Sequence, residues 1–203
     1  MGGRGKCLFG FSSKDVVKTR DVEVKNLRSL NSVRDPMVYD ELKKAISRYH
    51  AIFGVRQREI KIGDIIGVSA NGVHFNKEGE SYLIVLNRER FNLDKKEIEN
   101  LVHKAYESGW STRTKKPVQH TIKHELAHAT WNSGLSGKNK VAAREEIRKL
   151  YNNWSKDTRK KGYGELAKEN INEFWVETVT KALHGNQDKY TRKVRYIARK
   201  YKL

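Results

Sequence analysis

His124-Glu125-Leu126-Ala127-His128 is the stretch from which the rest of this chain can be read. Side chains four apart on an α-helix share one face, so both imidazoles can reach a single metal ion. Glu125, beside them, can take a proton from an attacking water. The surrounding pattern predicts a helix from Pro117 to about Trp131. Pro117 suits a first-turn position, where its missing N–H costs nothing, and Asn132-Ser133-Gly134 supplies a stop. At about 100° per residue, Val118, Ile122, Leu126 and Ala129 form one apolar stripe. His124 and His128 fall nearly opposite it, so the helix can bury one side and turn its histidines to a cleft.

A catalytic zinc ion takes three protein ligands and leaves a position for water. A third ligand is expected from the segment Glu169 to Thr178, which reads as a helix continuing to about His184 and ended by Gly185. There Glu173, Glu177, Thr180 and His184 share one stripe, with Ile171, Phe174, Trp175, Val179 and Ala182 on the other side. Glu173 is the expected metal ligand. Glu177, one turn on, is placed to orient a ligand histidine. An ordinary solvated carboxylate stripe is the competing reading. His120, His184, Asp188 and Glu169 are alternative ligands, although three successive turns of one straight helix converge poorly on one ion.

These residues resemble those of the gluzincins, the zincins that bind zinc through two His and a Glu. The segment from about Pro117 to Tyr201 is similar to the catalytic domain of anthrax lethal factor and to zincin-like metallopeptidases encoded by phages. The resemblance rests on the His124–His128 motif, on Gly162-Tyr163-Gly164, and on Glu173-Phe174-Trp175-Val176-Glu177. It implies one zinc ion held by His124, His128 and Glu173, with Glu177 supporting a ligand and Glu125 as general base. It also implies Tyr163 as the donor to the oxyanion, with Tyr151 the alternative. The implied activity is hydrolysis of peptide bonds, in phage head assembly, maturation or infection. The implied partners are a peptide or protein substrate and phage capsid proteins. The alternative function is a basic DNA- or capsid-binding phage structural protein that keeps a zincin fold without significant turnover.

The formal net charge of +18 over 203 residues predicts attraction to polyanions. The densest basic run lies between Lys189 and Lys202, where Tyr190, Val194, Ile197 and Tyr201 make an apolar helical stripe. A docked helix with a basic exterior is expected there. No sequence-reading nucleic-acid motif is present, so non-specific nucleic-acid contact fits better. The single cysteine, Cys7, excludes an internal disulfide framework. No apolar run approaches a membrane span, and the start lacks the apolar core of a secretory signal. The expected location is the host cytoplasm or a phage particle.

Along the chain, residues 1–33 are expected to be a basic flexible arm and residues 34–203 one metallopeptidase domain. Asp35-Pro36 opens a helix to His50, with Val38, Leu42, Ala45, Ile46 and Tyr49 recurring at helical spacing. Glu59 to Ile66 reads as a strand pair broken at Gly63-Asp64. Gly72 to Phe75 and Tyr82 to Leu86 read as a hairpin, and one strand of this β-rich stretch is the expected substrate edge. Leu93-Asp94 opens a helix to Ser108, and a charged helix is predicted from Lys138 to Trp154. His50, His74 and His103 read as structural or exposed. The fold class is α+β, a zincin-like arrangement of a small sheet, the motif helix and C-terminal helices.

Overall fold

The computed structural model describes residues 17–18, 21–54, 58–77, 80–135, 140–159 and 161–203. In chain order these are β1 (Val17–Lys18), β2 (Glu23–Ser29), α1 (Pro36–Phe53), β3 (Glu59–Ile66), β4 (Gly72–Lys77), β5 (Glu80–Asn87), α2 (Arg88–Phe91) and α3 (Lys95–Glu107). There follow α4 (His120–Ala129), α5 (Val141–Lys156), α6 (Leu166–Glu169), α7 (Ile171–Leu183) and α8 (Lys189–Tyr201). The class is mixed α+β, with the sheet before the motif helix.

The sheet runs β1-β2-β3-β5-β4. Strands β3 and β5 pair in parallel; the β2–β3 and β4–β5 pairs are antiparallel. Alternation along a strand sends neighbouring side chains to opposite faces. On β5, Ile84 and Leu86 therefore enter the helical core while Leu83 and Val85 join Val24, Val73 and Phe75 on the other face. The hairpin expected at Gly72–Leu86 is β4–β5, with its tip outside the described residues.

Two expectations change here. The arm predicted over residues 1–33 does not extend that far: Val22 and Val24 are buried and β2 pairs with β3, so this segment is part of the sheet. Residues 1–16, including Cys7, lie outside the described residues. Strand β3 is continuous rather than broken at Gly63. A Cβ there would come within 2.9 Å of Val24 and 3.1 Å of Leu27 and Val85, so Gly63 allows close packing and makes no turn.

The helix boundaries follow their caps. Asp35 accepts from the Met37 amide and Pro36 opens α1. Asp94 and Glu97 form a reciprocal capping box on α3. Asp188 caps α8 by accepting from Tyr190 and Thr191, a structural use of a residue weighed above as a ligand. Helix α4 sits in the middle, against β4, α1 and α7. A short 3-10 turn at Pro117–Gln119 leads into it and a π-helical turn at Thr130–Gly134 follows it, where the sequence had predicted a simple stop. Among the described residues no helix is long and apolar enough to cross a membrane.

Candidate metal centre

Almost all of α4 is buried, including His124, Glu125 and His128. Helix α7 lies across it and is buried from Glu173 to Leu183. Asn170 caps α7 by accepting from the Glu173 amide, which fixes the first turn and so the root of the Glu173 side chain. The C-terminal end of α7 is tied as well, to α4 by Lys123 and to α8 by Arg195. Lys123 Nζ donates to the Leu183 carbonyl at 3.2 Å and to His184 Nδ1 at 3.2 Å, and Arg195 donates to the Ala182 carbonyl. Burial foremost, with Lys116 and Arg48 nearby, lowers the Lys123 pKa to about 7.

This packing brings the side chains of His124, His128 and Glu173 together. The two Nε2 atoms stand 3.1 Å apart. Glu173 Oε2 is 3.8 Å from His124 Nε2, and Oε1 is 3.5 Å from His128 Nε2. All three residues are buried and offer one ligand atom each within 4.8 Å of the others. Glu173 Oε2 lacks a hydrogen-bond partner, which is costly for a buried carboxylate without a cation.

Glu177 occupies the position expected for an orienting residue. His124 Nδ1–H donates to its Oε1 at 2.9 Å, and the Thr112 amide donates to Oε2 at 3.1 Å. The first bond commits the His124 hydrogen to Nδ1 and leaves Nε2 free to ligate. Asn172 lies near His128 but makes no comparable bond to it. Its side chain favours the His128 cation, while Asn172 Oδ1 and His128 Nδ1 are each buried without a hydrogen-bond partner among the described residues. Asn172 was not singled out in the sequence, although its place beside Glu173 was a usable signal.

Burial and mutual charge set the titration of these groups against one another. Burial raises the Glu173 carboxyl to about 7; His124 pulls it down, and Glu177, Glu125 and Glu169 push it further up. Burial works against a charged His124, but the hydrogen bond and charge of Glu177, with Glu125 and Glu173, outweigh it and set its pKa at about 9. Burial alone would raise Glu177, yet the hydrogen bond and charge of His124, with His120 and Thr112, hold it at about 2. His128 is pushed well below its ordinary value by burial and by the charges of His124 and His74.

The remaining sequence candidates fall elsewhere. His120 forms a second buried group with His124 and Glu177, but His124 Nδ1 and Glu177 are already bonded to each other there. His184 stacks on His120 with ring centroids 5.8 Å apart. Glu169 ends α6 outside the group.

Tyr163 does not join the group. Its ring packs edge-on to Trp154 and Tyr190, and Lys181 Nζ lies 3.9 Å from its centroid. It lines a concavity with Asp157 and Asp188, separate from the cleft at Glu125. Tyr151 stacks on Trp154 and packs against Phe174 in the same cluster. Both tyrosines serve the packing behind α7. The neighbouring Gly164 has a clear role: a Cβ there would collide with the Trp110 carbonyl and the Ser111 backbone. Its amide donates to Thr112 Oγ1 at 3.3 Å, so this tight contact seats the loop whose Thr112 amide binds Glu177.

His124 and Glu125 open onto a cleft of about 360 Å³, lined by Phe91, Ile98, Leu101 and Val102 together with Ser69, Asn71 and Gly72. Strand β4 ends the sheet at this cleft. Gly72 presses on Glu125, since a Cβ would come within 2.9 Å of the Glu125 Cγ. His74, read from the sequence as structural or exposed, is fully buried two residues further along β4, with Nδ1 3.6 Å from Glu125 Oε2. Strand alternation could have revealed it: Val73 and Phe75 face away from α4, so Gly72 and His74 face towards it.

No protein-family profile, curated protein or solved structure matches this chain. The reading of the site rests on its own chemistry.

Proposed function

We propose that this protein is a zinc-dependent metallopeptidase with a zincin-type site. The observation that carries the reading is the convergence of His124 Nε2, His128 Nε2 and the Glu173 carboxylate, with Glu125 beside them at the cleft. The donor set and spacing fit zinc. Ligands at zinc's usual bond lengths in a tetrahedron stand about 3.3 Å apart; here the separations are 3.1, 3.5 and 3.8 Å. One ion would be held by His124, His128 and Glu173. When bound it supplies Lewis-acid polarisation of a carbonyl and acidifies water.

The chain's own residues supply the rest. Glu177 holds the His124 imidazole in its ligating tautomer. Glu125 accepts the proton of the attacking water on its carboxylate and returns one to the leaving nitrogen. An extended substrate suits a sheet-edge strand, and β4 ends the sheet beside Glu125, so we assign it as the edge expected from the sequence. The walls of Ile98, Leu101 and Val102 exclude water and receive apolar side chains.

The net charge of +18 favours a second reading for partners: non-specific contact with nucleic acid or acidic proteins. On α8, however, Lys193 and Lys200 pair with Glu146 and Lys189 pairs with Asp157, which tempers the surface charge. Work on phage capsid proteins, in a host cytoplasm or a particle, and the alternative of a DNA- or capsid-binding structural role rest on the resemblance and this charge.

The test is a peptide library or casein digest with parallel metal analysis. Wild type should cut and carry one zinc per chain. Glu125→Gln should keep the zinc and lose turnover by about 10²–10⁴-fold. Wild-type protein that binds zinc but cuts nothing would leave the structural role as the better reading.

A further inference from the structure

The π-helical turn at Thr130–Gly134 bears on the candidate general base. Such turns inside helical runs often mark functional sites. This one is pinned at its start: Thr130 Oγ1 donates to the Leu126 carbonyl at 3.1 Å and meets the Tyr49 hydroxyl at 2.5 Å. It carries Asn132 to His74, where Asn132 Nδ2 lies 2.7 Å from His74 Nε2.

An amide N–H can only donate, so Nε2 of His74 must accept. The neutral ring then carries its hydrogen on Nδ1. Nδ1 faces Glu125 Oε2 at 3.6 Å, and that oxygen is buried with no hydrogen-bond donor among the described residues. This separation is longer than a hydrogen bond, but such contacts commonly tighten when substrate binds. The ring is held flat against His128, with centroids 4.9 Å apart and planes 9° from parallel. Full burial keeps His74 away from substrate.

We propose that His74 is a positioning residue: its Nδ1–H holds Oε2 of Glu125, with Asn132 setting the His74 tautomer. The other carboxylate oxygen, near Gly72, is then kept for the proton of the attacking water. The catalytic meaning of this contact rests on the metallopeptidase reading, whereas the contact itself can be measured without turnover.

Long-range 1H–15N correlation spectra of the full chain at neutral pH, metal-free and zinc-loaded, report the tautomer directly. His74 signals are assigned by their loss in His74→Phe. The expected result is a hydrogen on Nδ1, a bare Nε2, and an Nδ1 shift that moves in Glu125→Gln. A hydrogen on Nε2, or an Nδ1 shift indifferent to Glu125→Gln, overturns the proposal even if the enzyme is active. In kinetics, His74→Phe should lower kcat about 10–100-fold with KM and zinc content unchanged. His74→Asn, which can place an N–H near the Nδ1 position, should recover most of kcat. A His74→Phe loss that appears in KM or zinc content, or that His74→Asn fails to rescue, also overturns it. An inert wild type with the expected tautomer and Glu125 response would overturn the hydrolase reading and leave the His74 contact standing.

Discussion

The two faces of α7 show how one helix serves separate tasks. One face presents Glu173 and Glu177 to the imidazoles of α4. The adjacent face places Phe174 against Trp154 and Tyr151 and bounds the pocket occupied by Tyr163. The first face consists of charged groups that burial penalises and that only mutual contact or a cation can relieve. The second is aromatic packing, held by area and ring geometry. Sequence reading assigned Tyr163 to the first face by resemblance; the structure puts it with the second. Side chains a few residues from a site can belong wholly to its scaffold.

The sharpest way to break this contrast is Glu173→Ala. It should remove bound zinc and with it all turnover, read by metal analysis of the purified protein. An unaltered zinc content would mean that the acidic face does not ligate. Gly164→Ala should cost about 1–3 kcal/mol of stability through overpacking, seen in thermal unfolding. It should also weaken zinc binding by displacing Thr112 from Glu177. If zinc affinity is unmoved, the loop and the acidic face are not coupled.

A pH series of the metal-free protein tests the acidic face alone. The folded Glu173 carboxyl is raised from 4.5 to about 7, so its contribution is fully present below about pH 4.5 and is lost as pH rises through about 7. Glu173→Gln should flatten this part of the stability curve, and added zinc should reverse it. The smallest effect is expected from Tyr163→Phe, which keeps the ring and should leave kcat unchanged. A large loss of kcat with normal folding would return Tyr163 to the chemistry.

Much of this architecture could be read in advance for simple reasons. Asp35-Pro36, Asp94 with Glu97, and the stripes of α1 and α3 are local signals, and local capping and periodicity decide those helices. The pairing of His124 and His128 with Glu173 and Glu177 was legible because helical spacing fixes which side chains share a face. What escaped depended on long-range neighbours. β2 was hidden in a polar stretch whose only apolar cues are Val22, Val24 and Leu27. Gly63 looked like a turn because nothing local reveals the crowding by Val24 and Val85. His74 lies far from the motif in the chain and meets Glu125 only because β4 ends the sheet above α4.

The ties between Lys123 and Leu183, and between Arg195 and Ala182, have a last consequence. The first holds α4 to α7 and the second holds α8 to α7, with hydrogen bonds that owe nothing to an ion. Metal uptake there should require no chain ordering, unlike small domains that fold only around zinc. The vice stands ready, and chelation should empty it without melting it.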